Sequence, residues 1–399
     1  MTMMRNVIRP GVAETGLMVR PVPGYAAWES CRAVQAGATA FHRWEWLGTM
    51  AQALGKHFLP LGFYQSGRLI GLAPLLVRGY GPYRNASWAP LPYLGPLVPG
   101  HLLSDALRAL DCYGRRNGIS LFRLGFAPDA APDPVILEAA GYTLASDTTM
   151  ELPLAGREEE ELWAAMKYQR RQNIRKAQRA GVAVGSATRE DMAVHLPAIM
   201  EGVFAPRDQA PPYPAAAPTL VWERYHNDPS VHMAAARYED ATAAVLVTLI
   251  DGVHAYMWMG GGQSCYRHVN PNALLYWDAI CWARARGCRA IDMVATPDDG
   301  IARFKSGFGC TERPYVLAMR ETSRAVTVAH WAHGHAASLR REAPGRLDAA
   351  RGHLRGISAI GQTRLRADRH SNPVTLSVAE ENNQDVPLRR PGSAAVTGR

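Results

Sequence analysis

The chain is 399 residues long, 47% hydrophobic and 20% charged, which reads as globular rather than disordered and fits two or three domains of ordinary size. A formal net charge of +9 favours anionic partners without naming one. Six cysteines without a CxxC pair argue against a zinc site and a disulfide framework, and no apolar run approaches the ~20 residues that span a bilayer. With no signal-peptide core at the N-terminus, a cytoplasmic protein with reduced thiols is expected.

In chain order, the first readable element is a hairpin. "FLPLGFY" (58–64) and "RLIGLAPLLV" (68–77) flank the turn "QSG". A helix follows at "SDALRALDCYGRRNG", with Ser104 as N-cap and Gly118 closing its end, then the strand "ISLFRL". The stretch "AAGYTLASDTTMELPL" adds a short element, Gly141 and a last apolar strand. The same order then returns. "MAAARYE", "AAVLVTLI" and "HAYMWMG" predict three antiparallel strands, with Asp251 and Gly252 in a tight turn. "NALLYWDAICWARARG" predicts a helix capped by Asn272 and closed by Gly287, followed by the strand "CRAIDM" and by "SGFGCTERPYVLAMRE" around Gly309. Repeated order predicts a duplicated α/β unit. Its domains are 1–155 and 156–324, and 325–399 reads as a short helix and a disordered basic tail, with eleven Arg against six acids.

The second unit opens on "KYQRRQNIRKAQRAG" (167–181), which holds six Lys or Arg and no acid. At 3.6 residues per turn Lys167, Arg171, Arg175 and Arg179 form one stripe, while Met166, Ile174, Ala177 and Gly181 turn to another face. Like charges along such a stripe cost roughly 0.2–0.5 kcal/mol per pair. The acids from Glu158 to Glu161 offset part of that at the positive end of the helix dipole. Two uses fit: a solvated face, or a cradle in which Arg grips phosphates. The helix alone does not choose between them.

"GIARFKSGFG" (300–309) follows the strand "CRAIDM" and the loop "VATPDD". Lys305 stands there between Phe304 and Phe308 with glycines around them, a pattern that suits a water-poor cationic site or a surface Lys on a helix packed by its two Phe. Asp292 and Asp298, at the end of the strand, are the candidate bases. His254 and His268 read as structural or surface groups, and no Ser-His-Asp or Cys-His pairing stands out.

The order of these pieces resembles the Fem family of aminoacyl-tRNA-dependent peptidyltransferases, within the wider group built from two acetyltransferase-like (GNAT) domains. The likeness is carried by "RRQNIRKAQRAGV" (170–182), "LLYWDAICWARARGCRAIDM" (274–293), "GIARFKSGFG" (300–309) and "YLGPLV" (93–98), and it spans about 40–320. It implies an α/β (α+β) fold of two GNAT-like domains, each a mixed, mostly antiparallel sheet flanked by helices. It implies transfer of an amino acid from aminoacyl-tRNA to an amine of a peptide or peptidoglycan precursor, or of a peptide-type secondary metabolite, with no cofactor, metal, DNA or membrane span. Lys305 would then stabilise developing negative charge near the tRNA acceptor end. Phe304 and Phe308 would shape the pocket, and Tyr93, Lys167, Arg170, Arg171 and Arg175 would line the acceptor groove. The chain departs from the family in two places: it has no room for the long helical hairpin of some members, and "VATPDDG" is not the Gly-rich loop expected. An acyl-CoA-dependent N-acyltransferase of the GNAT superfamily is the alternative, although the R/Q-x-x-G-x-G/A pyrophosphate loop is missing after "HAYMWMGGGQ". A non-catalytic nucleic-acid-binding protein explains the duplicated pattern poorly.

Overall fold

A computed structural model describes residues 11–12, 16–80, 83–86, 91–294 and 299–322. The tail from 325 onward and Asp298 lie outside the described residues. In chain order the first unit runs β1 (Gly11–Val12), β2 (Met18–Pro21), α1 (Tyr25–Arg32), α2 (Trp44–Ala53), β3 (His57–Gln65), β4 (Arg68–Tyr80) and β5 (Tyr83–Ala86). It continues through α3 (Leu103–Arg116), β6 (Ile119–Phe126), α4 (Pro134–Ala139) and β7 (Thr143–Pro153). The second unit opens with α5 (Glu159–Ala165), α6 (Tyr168–Arg179), β8 (Ala183–Ser186), α7 (Leu196–Phe204) and α8 (Ala217–Tyr225). Then come β9 (Val231–Tyr238), β10 (Ala241–Asp251), β11 (His254–Gly262), α9 (Pro271–Ala285), β12 (Ala290–Asp292), α10 (Asp299–Ser306) and β13 (Thr311–Glu321).

The tight hairpins follow from local chemistry. Ser66 and Gly67 (φ 48 and 82), like Glu239 and Asp240 (φ 48 and 63), put two successive residues at positive φ, the geometry that matches the twist of paired strands. Gly118 and Gly287 (φ 69 and 74) end α3 and α9 in the left-handed conformation expected of them. The helix starts differ from the sequence expectation. A short 3-10 turn at Gly100–Leu102 leads into α3, and Pro271 opens α9, so Ser104 and Asn272 lie inside the first turns rather than capping them. Proline, with φ fixed near the helical value and no N–H to leave unpaired, begins a helix well, and it moves the start upstream.

The strands among the described residues form one sheet in the order β1-β2-β3-β4-β5-β6-β13-β7-β12-β11-β10-β9-β8. Pairing is antiparallel except at β5–β6 and β11–β12, the two places where a helix carries the chain back across the sheet. The closing strands are exchanged. β13, from the second unit, lies between β6 and β7, with Leu317 opposite both Gly125 and Ala145, and β7 pairs with β12 of the second unit through Leu152 and Ile291. One face of the sheet is covered by α1, α2, α7 and α8, which share a core that includes Trp28, Trp46, Leu196 and Trp258. The units are tied there by the Trp46–Trp258 pair (4.8 Å between ring centres), the Arg32–Asp251 ion pair (2.6 Å) and the Thr49–Tyr225 hydroxyl contact (2.9 Å). On the other face α3 and α4 cover the first unit, while α5, α6, α9 and α10 cover the second.

Candidate active site

The end of β12 gathers several of the candidate residues. Asp292 is buried at the sheet's middle, where strands from both units converge. Its Oδ2 accepts from the Tyr93 hydroxyl of the first unit at 2.7 Å, and its Oδ1 accepts from the Val294 backbone N–H at 2.6 Å and from the Thr149 hydroxyl. Burial raises the pKa of this carboxyl, and the hydrogen bonds from Thr149, Tyr93 and Val294, together with the Lys305 charge, pull against that rise. The rings of Tyr93, Tyr256, Phe41 and Tyr315 pack around it, with centres 5.3–6.4 Å apart. Tyr93, Tyr256 and Tyr315 have pKa values raised far above the ordinary tyrosine value, chiefly by burial, so these phenols stay protonated.

Lys305 approaches the same point from α10. It is fully buried, and its ammonium donates to the carbonyl of Met293 at 2.8 Å and to that of Val294. Val294 has φ 43, a conformation that a β-branched residue adopts only under constraint, at a cost on the order of 1–3 kcal/mol. Asp292 holds its N–H and Lys305 holds its carbonyl, so both backbone polar groups of this residue are fixed.

The quoted motifs interlock. Arg170 turns inward from α6, stacks its guanidinium 3.9 Å from the centre of the Phe304 ring and 5.0 Å from Phe308, and donates to the Phe304 carbonyl at 3.0 Å. A side chain on Gly307 would meet Arg170 at 3.0 Å, so the glycine of "FKSGFG" admits the protein's own arginine. Phe304 and Phe308 also pack on Tyr276 of α9 and lie in the core of the second unit. Lys167, exposed, donates to the Ser306 hydroxyl at 3.0 Å beside Lys305.

The structure thus joins Tyr93, Asp292 and Lys305 in one cluster and Arg170, Phe304 and Phe308 in another, while Arg171 and Arg175 belong to neither. Arg171 donates to the carbonyls of Ala164 and Met166, and Arg175 lies 5.5 Å from the centre of the Trp163 ring. Opposite the buried Ile174 and Ala177, the outward ridge of α6 carries Tyr168, Gln172, Arg175 and Arg179 at helical spacing. Tyr168 is 68% exposed, a large value for an aromatic residue. Sequence reasoning missed Thr149, Val294 and Tyr168. Thr149 arrives through strand exchange, and nothing in a valine announces a positive φ; an aromatic opening an otherwise cationic helix was the available signal for Tyr168.

At the start of α9, where GNAT enzymes hold the CoA pyrophosphate, Pro271, Asn272 and Ala273 are buried, and the Asn272 amide packs against Gly262. Among the described residues no group of three or more His, Cys, Asp or Glu is arranged to hold a metal ion. No helix among them is long and apolar enough to cross a membrane.

Residues 165–306 match the family model of an acetyltransferase (GNAT) domain. No curated protein matches the chain. Among solved structures, the chain is similar to FemX, with a TM-score of 0.59 at 13% identity over 75% of this chain and 96% of that one. It is also similar to a tandem GNAT protein from the clavulanic acid biosynthesis pathway, with a TM-score of 0.51 at 13% identity over 77% of this chain and 99% of that one. At such identities the likeness concerns the fold, and the fold of this chain is the Fem-like pairing of two GNAT-type domains.

Proposed function

We propose that the protein is an aminoacyltransferase that moves an amino acid from the ester of an aminoacyl-tRNA to an amine of a peptidoglycan precursor or a peptide-type metabolite, in the cytoplasm. The attacking nitrogen forms the new bond to the carbonyl carbon, the ribosyl C–O bond breaks, and the proton shed by the amine ends on the ribose oxygen. An activated ester needs no other co-reactant, so the protein's task is positioning and charge stabilisation. Asp292, with its raised pKa, is the proton-handling group of this reading, and Lys305 supplies positive charge while fixing the Val294 peptide beside it.

The observation that carries the reading is the exposed ridge of α6. No acid occurs between Glu161 and Glu190, and Tyr168, Arg175 and Arg179 face water next to Lys167, which touches α10 beside Lys305. Cations beside an exposed ring suit a single-stranded nucleic acid end, which offers phosphates and stacking bases together. The apolar side of α6 is consumed by the core, which leaves no apolar face for a lipid surface. The buried start of α9 argues against CoA in the second unit. The alternative, an acyl-CoA-dependent N-acyltransferase, would use the cleft beside α3 in the first unit, whose lining residues include no Lys or Arg for a pyrophosphate. Binding separates the two: the proposal expects charged tRNA to be retained at low salt and CoA to leave the melting temperature unchanged. Tight stabilisation by CoA, without tRNA retention, would reverse the choice.

A further inference from the structure

Away from the end of β12, a cleft of about 280 Å³ opens where the two units meet, between α1 and the start of α2 on one side and the end of α8 on the other. Its frame is held by charge. Arg32 pairs with Glu29 within α1 at 2.6 Å and with Asp251 of the second unit at 2.6 Å. Arg43 donates to the Ser230 hydroxyl at 2.8 Å, and its Nε lies 3.6 Å from the other carboxylate oxygen of Asp251. Glu29 also accepts from the Trp44 backbone N–H at 2.9 Å, which ties the start of α2 to α1. Both guanidinium groups are thus committed to joining the units, and breaking such half-buried pairs is costly. Beside Arg43, burial lowers the His42 imidazole to a pKa of about 4, so it adds no charge at ordinary pH.

Three wall residues have chemistry beyond the frame. Trp46 is 2% exposed and lines the cleft, and its indole N–H is buried without a hydrogen-bond partner among the described residues. A buried donor that meets no acceptor is destabilising, and an oxygen of a ligand would relieve it. Glu45 stands exposed at the rim, and Tyr25 offers a ring that is 53% exposed. In and behind the walls four carboxylates, Glu29, Glu45, Asp228 and Asp251, face the two guanidinium groups of Arg32 and Arg43, so the surroundings are net acidic. An ammonium group finds both countercharge and aromatic faces here, while an anion meets guanidinium groups that are already paired. None of these walls belongs to the cluster of Tyr93, Asp292 and Lys305.

We infer that this cleft between the units binds a protonated primary amine that carries a carbonyl oxygen close by, as an amino-acid amide or a peptide N-terminus does. The ammonium lies against Glu45 and the aromatic rim, and the oxygen accepts from the Trp46 indole N–H. The site is independent of the acyl donor. L-Phenylalaninamide, titrated against the full chain by saturation-transfer NMR at pH 6.5, where its α-amino group is protonated, is the probe. Phenethylamine lacks the oxygen, N-acetylphenylalaninamide lacks the charge, and 3-phenylpropionate reverses it. Expected is saturable binding of phenylalaninamide, with phenethylamine weaker by about threefold and the N-acetyl compound by about fivefold or more. Glu45→Gln, on the exposed rim, should weaken both amines by about threefold and leave the N-acetyl compound and the melting temperature unchanged. Trp46→Phe should remove the advantage of phenylalaninamide over phenethylamine. The assignment is overturned if phenylalaninamide does not bind saturably, if the N-acetyl compound or 3-phenylpropionate binds as well, or if either variant keeps the parent's pattern.

Discussion

In the proposed reading Lys305 and Asp292 carry the chemistry, and both are buried. Replacing Lys305 by Met keeps the length of the side chain and leaves two buried carbonyls and a buried carboxyl without their cation. The expected loss of stability is roughly 2–5 kcal/mol, read from the shift of the urea midpoint at constant slope. A change below about 1 kcal/mol would mean that the ammonium is not anchored as described. His42 supplies a pH signature. Its pKa falls from 6.5 to about 4 on folding, so below pH 6.5 the unfolded chain takes up a proton that the folded chain refuses. Stability is full above pH 6.5 and declines towards pH 4, by about 3 kcal/mol at the end of that window. A His42→Gln variant should show a shallower decline than the parent by about one proton over pH 6–4.5, and identical slopes would contradict the burial argument. At this scale the sequence disclosed the ionisable partners, Lys305 at a glycine-rich helix end and Asp292 at a strand end. It did not disclose Thr149 or Val294, whose roles depend on a strand partner and a backbone angle that residue type does not encode.

Among the elements, α6 has the most to say about function. Periodicity identified its buried face through Ile174 and Ala177 and set Lys167, Arg171, Arg175 and Arg179 apart from it as a stripe. Arg170, which the family resemblance would set along the acceptor groove, lies on the buried face, where Gly307 and the rings of Phe304 and Phe308 offer it a place inside, a contact 134 residues away in the chain. The remaining ridge makes a divided prediction for tRNA binding. Arg175→Ala and Arg179→Ala should each weaken binding and reduce the salt slope by roughly 0.7 if each arginine meets one phosphate of a single strand. Tyr168→Ala should weaken binding by roughly 1–3 kcal/mol with the salt slope unchanged, because stacking releases no counterions. Equal salt slopes in all variants would return the ridge to a solvated surface. For α3 and α9, the helices themselves were legible, and their starts were misread because the upstream turn and Pro271 outweigh the capping preference of Ser104 and Asn272.

Across the whole molecule, duplication was readable from repeated order, and the exchange of closing strands was not. β7 and β13 are each apolar strands that fit beside either unit, and spacing along the chain does not choose a partner. Exchange places β13 between β6 and β7, so neither unit completes its sheet without the other. Unfolding in urea should therefore be a single transition, coincident by tryptophan fluorescence and far-UV circular dichroism, and two separated transitions would contradict this coupling. The same shared centre positions Tyr93 of one unit on Asp292 of the other, and the proposed chemistry rests on it. That chemistry is tested most directly by mixing the full chain with charged tRNA and candidate amines and following the labelled amino acid into an amide product. Aminoacyl-tRNA-dependent transfer predicts product that disappears when RNase is added beforehand and that CoA thioesters do not restore. Product formation indifferent to RNase, or dependent on an acyl-CoA, would contradict it.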